Sequence, residues 1–429
     1  MTDAAKHTLY ICYFGLRQPL VQTQVIPYLR EIVKAGIRVS LVTFEPDLNK
    51  NWTAEQIKSK RASMAEENIE WGCLAYHKRP SAIATAYDIF AGARFVRQKI
   101  RNENLDVLHG RIHVATLMGA IARKFSTRKP KLIFDIRGFF PEEYTDAGVW
   151  QENGWLYRGA KRVEKWLMRE SDGFVVLTEK ARATLFGDLT VAETKAPPAK
   201  VGGTDPEGRP VEVIPCCVDF VSRFQADAEN SGDEIATRLG LAERFVLAHV
   251  GALGGLYLTE EIVDFLVAAR SVEQNSFALF LTQTDPGHVI TLLQKKGFSE
   301  NDYFVGQVDP AAIPEYLSIA NVGLSFVKAT YATQSRSPTK IPEYLAAGLP
   351  IIANSGVGDV DELIHEDGVG VLIDSFEHAA YVDALKRLGD LGDISEKCRA
   401  SAEKRFDLET VGGAGYRRLY EKLFCKTGN

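Results

Sequence analysis

Short apolar runs, each followed by a segment of helical periodicity, recur along the chain in two series. The first holds TLYICYF, IRVSLVTF, LDVLH, KLIFD and GFVVLT; the second holds FVLAHVG, SFALFLTQ, YFVGQV, VGLSFV and LPIIAN. Runs of this length suit buried strands, and strands that alternate with helices imply a parallel, doubly wound α/β sheet. After the first run, Val25, Leu29, Ile32 and Val33 fall at helical spacing. Pro27 fits near that helix's first turn, and Gly36 ends it. A prior of about 150 residues per domain allows two or three domains in a chain of this length. The two series favour two, one over 1–225 and the other over 226–405. The stretch AETKAPPAKVGGTDPEGRP has no periodicity and reads as a surface loop ahead of the junction.

Composition excludes several classes. Hydrophobic residues make up 45% and charged residues 25%, which is ordinary for a folded globular protein. The formal net charge of −5 argues against a nucleic-acid binder, which carries a basic excess. The six cysteines form no CxxC pair, which fits reduced thiols in a cytoplasmic protein. The N-terminal residues lack a charged-then-apolar signal layout, and no apolar run approaches the roughly 20 residues of a membrane span. Peripheral contact with the inner face of a membrane stays open.

The densest chemistry lies in SRSPTKIPEYLAAGLPIIAN, residues 335–354. It follows the strand VGLSFV and a polar loop, so it sits where doubly wound sheets bind ligands, at the carboxyl ends of strands. Pro338 suits a first helical turn and Gly348 a helix end. Arg336 and Lys340 add full charges to the partial positive charge of a helix N-terminus, a combination that favours an anion and suits a diphosphate. Glu343, three residues beyond Lys340, points the same way and is able to accept hydrogen bonds from a ribose diol. An ordinary surface ion pair between Lys340 and Glu343 is the competing interpretation. Asp359 and Asp361 form a DxD pair better suited to capping a helix than to holding a metal.

This stretch resembles the donor-site motif of retaining glycosyltransferases of family 4 (glycosyl transferases group 1), which have the GT-B fold: two Rossmann-like domains facing across a cleft. VIPCCVDF resembles the family's domain junction, HVGALGGLY its glycine turn, FVGQVDPAAIPEYLSIANVGLSFV its base-binding region, and RFDLETVGGAGYRRLYEKL its terminal helix. The resemblance implies a donor-binding second domain and an acceptor-binding first domain, with residues from about 406 to 429 packing back on the first. It also implies that Lys340 and Arg336 hold the donor diphosphate and Glu343 the ribose. Ser337, Pro338 and Thr339 would present backbone to the phosphates. Gly251 and Gly254 would admit them closely, and Gly306 would lie by the base. The chain departs from the pattern twice. Ser335 stands where the family usually has a second Glu, and no Arg follows the glycine of GALGGLY.

In the first series, Asp135 and Arg137 of KLIFDIRGFFPEEY lie just after a strand, with Glu142 and Glu143 beyond. The family often carries a His or Asp facing the reacting sugar at this place. A buried Asp–Arg pair is the structural alternative. His109 and Arg111 end another strand. His109 and His113 lack the Glu of a zinc-hydrolase motif, so no metal is expected there. The resulting expectation is transfer of a sugar from a nucleotide-diphosphate donor to a glycan or lipid-linked hydroxyl, in surface polysaccharide or glycolipid assembly. Asp135, Arg137 and His109 would be catalytic, Arg111, Glu142 and Glu143 would bind the acceptor, and neither cofactor nor metal would be required. A sugar-nucleotide epimerase and a non-catalytic nucleotide-sugar binder are the alternatives.

Overall fold

The computed structural model describes residues 5–79, 81–187, 203–224 and 228–425. The chain divides into two compact units, Met1–Pro215 with Leu408–Asn429, and Cys216–Asp407.

In the first unit the strands are β1 (His7–Cys12), β2 (Arg38–Pro46), β3 (Ile69–Tyr76), β4 (Val107–Arg111), β5 (Lys131–Ile136), β6 (Gly173–Val176), β7 (Gly203–Thr204) and β8 (Pro210–Val213). They lie in the order β3-β2-β1-β4-β5-β6-β8-β7. The pairs are parallel except β7 with β8. The strand order reverses between β1 and β4, the place where such sheets hold ligands. Every residue of β1 is buried, as its apolar run requires. The helices Ser81–Asn102 and Trp155–Glu170 both pack against the helix Ile112–Lys124. The π-helical turn Leu408–Gly413 packs on the helix Ile26–Lys34, and the helix Ala414–Phe424 on β8. Gly413 allows that approach, since a Cβ there would lie 2.9 Å from Glu31 Cβ.

In the second unit β9 (Phe245–Val250), β10 (Ser276–Leu281), β11 (Tyr303–Gly306), β12 (Val322–Ser325), β13 (Ile351–Asn354) and β14 (Gly370–Ile373) form an all-parallel sheet. Its order is β11-β10-β9-β12-β13-β14, with the reversal between β9 and β12.

Two sequence expectations are corrected and one is met. The helix expected with Pro27 in its first turn is Ile26–Lys34, preceded by a separate short helix Pro19–Gln24, with Val25 between them at φ −127°. Pro27 cannot donate a backbone hydrogen bond, so it opens a second helix instead of continuing the first. The boundary expected at 225/226 falls at Pro215/Cys216, because the intervening residues join the second unit. The Cys216 amide donates to Ser337 Oγ at 3.0 Å, and the Val218 amide donates to the Phe406 carbonyl at 2.8 Å. The segment read as a loop ends in a hairpin, where Gly203–Thr204 pairs with Pro210–Val213 through a turn held by Asp205 and Arg209. Residues 188–202 of that region lie outside the described residues.

Candidate active site

Lys340 opens the helix Lys340–Ala346, just beyond the β12 loop. Its side chain runs inward to the glycine turn that ends β9. A Cβ added at Gly251 would sit 3.6 Å from Lys340 Cε and 3.8 Å from its Nζ. Gly251 has φ +116° and Gly254 φ +75°, conformations that glycine adopts without penalty. Nζ stands 4.6 Å from the ring centre of Tyr257, a cation–π contact that leaves its three hydrogens without an acceptor. Lys340 is 3% exposed, and Nζ has no hydrogen-bond partner among the described residues. Burial pulls its pKa down from 10.5 to about 7, with Glu343 opposing the shift. The same ammonium, after burial, helps hold His249 below its ordinary value.

Tyr344 fixes this geometry. Its hydroxyl accepts from the Val250 amide at 2.8 Å and donates to the Leu324 carbonyl at 3.2 Å. It thereby ties the helix to the ends of β9 and β12 on either side of the reversal.

Lys340 and Glu343 do not form the surface pair that their spacing allows. Both are buried, and Glu343 instead accepts from Arg223 Nη1 at 2.8 Å. Burial raises the Glu343 pKa against the pull of Arg223 and Lys340. Arg223 also donates to the Pro310 carbonyl at 2.8 Å, so it links the carboxylate to the segment after β11. Arg223 and Tyr257 were not singled out from the sequence. Arg223 stands three residues beyond VIPCCVDF and Tyr257 is the last residue of HVGALGGLY, and those positions were the available signal.

The other expected donor residues are placed unequally. Ser337 Oγ holds the Cys216 amide. Thr339 is exposed, while Arg336 and Pro338 are half-buried, with the Arg336 amide donating to the Thr333 carbonyl. Gly254 donates its amide to Thr259 Oγ1 at 2.8 Å. Gly306 ends β11 and accepts from the Thr282 amide. Ser335 is 1% exposed and donates to the Ala332 carbonyl at 2.7 Å, so it closes its own turn.

Asp135, Arg137, His109 and Arg111 do converge in the first unit, but in a sealed cluster. Asp135 Oδ1 lies 2.7 Å from Arg137 Nε, and Oδ2 lies 3.5 Å from His109 Nε2 and 3.9 Å from Arg111 Nη1. Tyr10 and Tyr416 hydroxyls donate to Oδ2 at 3.3 and 3.1 Å. Arg137 also donates to the Tyr416 hydroxyl, and His109 Nδ1 meets the Tyr420 hydroxyl at 3.0 Å. Asp135 and His109 are both 0% exposed. Burial would raise the Asp135 pKa, but Arg137, His109 and Arg111 together hold it below the ordinary carboxylate range. Burial lowers the His109 pKa against the opposing pull of Asp135. The expectation of a catalytic group facing substrate is therefore corrected: Tyr416 and Tyr420 of the terminal helix close over these residues.

Glu142 is likewise engaged, accepting from Tyr157 at 3.0 Å and pairing with Lys161 at 2.9 Å, whereas Glu143 is half-buried beside Gly138. His113 turns away from His109 to pair with Glu164 at 2.9 Å. Among the described residues, the only grouping with metal-ligand spacing is His7, Glu70 and Glu103, and both its carboxylates accept from Lys99. Asp361 accepts from the Gly356 amide ahead of the helix Val360–Asp367, while Asp359 sits at the N-cap without a side-chain cap bond.

Two doubly wound sheets whose first six strands share one order, the first extended by β8 and β7, match the GT-B class of glycosyltransferase. Residues 261–405 match the family model described as glycosyl transferases group 1, and residues 21–196 match that of glycosyltransferase family 4. The chain belongs to this glycosyltransferase family. No curated protein matches it. Among solved structures it is similar to sucrose-phosphate synthase from Thermosynechococcus elongatus, with TM-score 0.69, 17% identity, and 98% of this chain and 100% of that one covered. It is also similar to Anabaena HepE in complex with UDP and glucose, with TM-score 0.66, 14% identity, and 97% and 100% covered. A third similar structure is WaaG, a glycosyltransferase involved in lipopolysaccharide biosynthesis, with TM-score 0.57, 16% identity, and 98% and 100% covered.

Proposed function

We propose that this glycosyltransferase takes its sugar from a nucleoside-diphosphate donor held at the strand reversal of the second unit, and passes it to an acceptor hydroxyl with retention of anomeric configuration. The observation that carries this reading is the Lys340 ammonium, buried against the Gly251 turn without a hydrogen-bond partner. A diphosphate would supply the acceptors that the ammonium lacks, and the negative charge growing on the leaving group would strengthen the contact in the transition state. Gly251 and Gly254 would let phosphate oxygens approach the backbone, with Arg336 and the backbone N–H groups of Ser337 and Thr339 as further donors and Pro338 shaping the turn between them. Glu343 would accept from the ribose hydroxyls, and Gly306 would lie toward the base. HepE, whose structures hold UDP and UDP-glucose, supports a nucleotide donor.

No side chain is assigned as a nucleophile, so the expected mechanism is front-face substitution, in which the departing phosphate itself accepts the acceptor proton. No bound metal is invoked, since Lys340 takes the leaving charge. The setting in surface polysaccharide or glycolipid assembly, at the cytoplasmic side, is part of the same proposal. A non-catalytic binding role is the second reading, favoured by Ser335 closing its own turn where the family usually has a Glu.

Thermal-shift titration with UDP, GDP, TDP, CDP and ADP tests the site. One diphosphate should stabilise the wild type and leave Lys340→Ala unchanged. Release of free nucleoside diphosphate from the matching sugar donor, with an acceptor present, separates the enzyme from the binder.

A further inference from the structure

The exposed face of the helix Ser81–Asn102 is not a uniform polar surface. Ile83, Tyr87 and Phe90 are 70%, 58% and 70% exposed. Arg94, Arg97 and Arg101 continue the same stripe, also exposed. The spacing of three and four residues keeps all six on one side of the helix. The helix Trp155–Glu170 repeats the layout: Trp155, 79% exposed, begins a stripe continued by Arg158, Arg162, Lys165 and Arg169. Both helices pack against the same third helix, Ile112–Lys124. Each follows a strand of one parallel sheet, so their N-terminal, aromatic ends share an end of the sheet.

The charge on these faces is one-sided. None of the exposed residues of either helix is acidic, although the chain carries a net charge of −5. None of the seven stripe cations forms an ion pair among the described residues. Other surface cations of this unit do, such as Arg30 with Glu67 at 2.7 Å. An acidic protein that gathers unpaired cations beside exposed aromatic side chains has a surface matched to an anionic bilayer. Basic residues are drawn to acidic headgroups, and Trp, Tyr and Phe settle at the headgroup–acyl boundary. No helix among the described residues is long and apolar enough to cross a membrane, so attachment here would be peripheral.

We infer that the exposed faces of Ser81–Asn102 and Trp155–Glu170 dock this protein on an anionic phospholipid bilayer, with Ile83, Tyr87, Phe90 and Trp155 entering the interface and the two cation rows lying over acidic headgroups. This inference stands on surface residues alone and survives if the donor-site reading fails.

Vesicle co-sedimentation tests it, using phosphatidylcholine alone and phosphatidylcholine mixed in equal parts with phosphatidylglycerol. The full chain should sediment with the mixed vesicles and remain in solution with the neutral ones. A triple variant, Arg94→Glu with Arg97→Glu and Arg162→Glu, should bind at least about tenfold more weakly. The double variant Phe90→Ser with Trp155→Ser should keep low-salt binding and lose the fraction that resists high salt. Brominated acyl chains should quench wild-type fluorescence more than that of Trp155→Ser. All variants alter exposed side chains, and an unchanged melting temperature verifies their folding. Equal sedimentation with neutral vesicles, or wild-type binding by the folded triple variant, would overturn the inference. So would a wild-type dimer that Phe90→Ser dissociates, or binding to a duplex oligonucleotide without binding to vesicles.

Discussion

Replacing Lys340 with methionine should make the protein more stable and unable to respond to nucleotide. The two side chains have similar length, so the change removes the charge and leaves little void. Burial lowers the Lys340 pKa from 10.5 to about 7. At about 1.4 kcal/mol per pH unit, the difference amounts to roughly 5 kcal/mol against the buried charged form. The unfolded chain keeps this proton up to its ordinary pKa, while the folded chain keeps it only up to about pH 7. The penalty is therefore complete below about pH 7, shrinks between there and 10.5, and vanishes above. Urea unfolding of Lys340→Met should show a gain approaching roughly 5 kcal/mol at about pH 6, shrinking toward about pH 10. The wild type at a nucleoside diphosphate concentration a hundredfold above Kd should gain about 2.7 kcal/mol, and the variant none. Because the anion binds the ammonium form, wild-type affinity should fall about tenfold per pH unit above about pH 7. A variant no more stable than wild type at about pH 6, with an undiminished nucleotide response, would refute the reasoning.

Arg223→Ala strips the buried Glu343 carboxylate of its partner and should cost about 2–3 kcal/mol. Since burial already raises Glu343, the loss should shrink as pH falls and the carboxylate becomes easier to protonate; urea midpoints measured across a falling pH series check this. Asp135→Asn should cost about 3 kcal/mol near neutral pH and lower the melting temperature, whereas a purely catalytic Asp135 would leave melting unchanged. The stabilisation from this depressed carboxyl is present above the ordinary carboxylate range and lost as pH falls through its folded value. Gly251→Ala places a Cβ at φ +116° and should cost about 1–3 kcal/mol, with weaker nucleotide binding seen by titration calorimetry.

The fold was legible because both series of apolar runs obey one rule, strand then crossover helix, and their polar residues fall mainly at the ends of the runs. The donor region was legible for a related reason: Lys340 and Glu343 lie within one helix, where sequence distance fixes spatial distance. Their partners were harder. Arg223 reaches Glu343 across 120 positions, a separation that no local period encodes. The Asp135 cluster shows the limit most clearly. KLIFDIR announces an Asp–Arg pair at a strand end, but it cannot say that Tyr416, 281 positions on, will close over it. The same motif would face a substrate or a helix depending on where the C-terminus packs.

The two sheets share the order of their first six strands and differ in how charge is settled near the reversal. In the first unit, Arg137 and Arg111 lie beside Asp135 and tyrosine hydroxyls donate to its Oδ2, so the protein itself supplies the counter-charge. In the second, the carboxylate nearest the ammonium is committed elsewhere. Lys340, Glu343 and Arg223 together leave one positive charge in excess when Lys340 is protonated, and the geometry leaves that excess on Lys340. Were Glu343 unpaired, the low dielectric around it would favour turning it toward Lys340, and the two charges would cancel. The Arg223–Glu343 pair thus does more than brace the segment after β11. It keeps the one nearby anion occupied, so the favourable way to stabilise the buried ammonium is to bring an anion from outside.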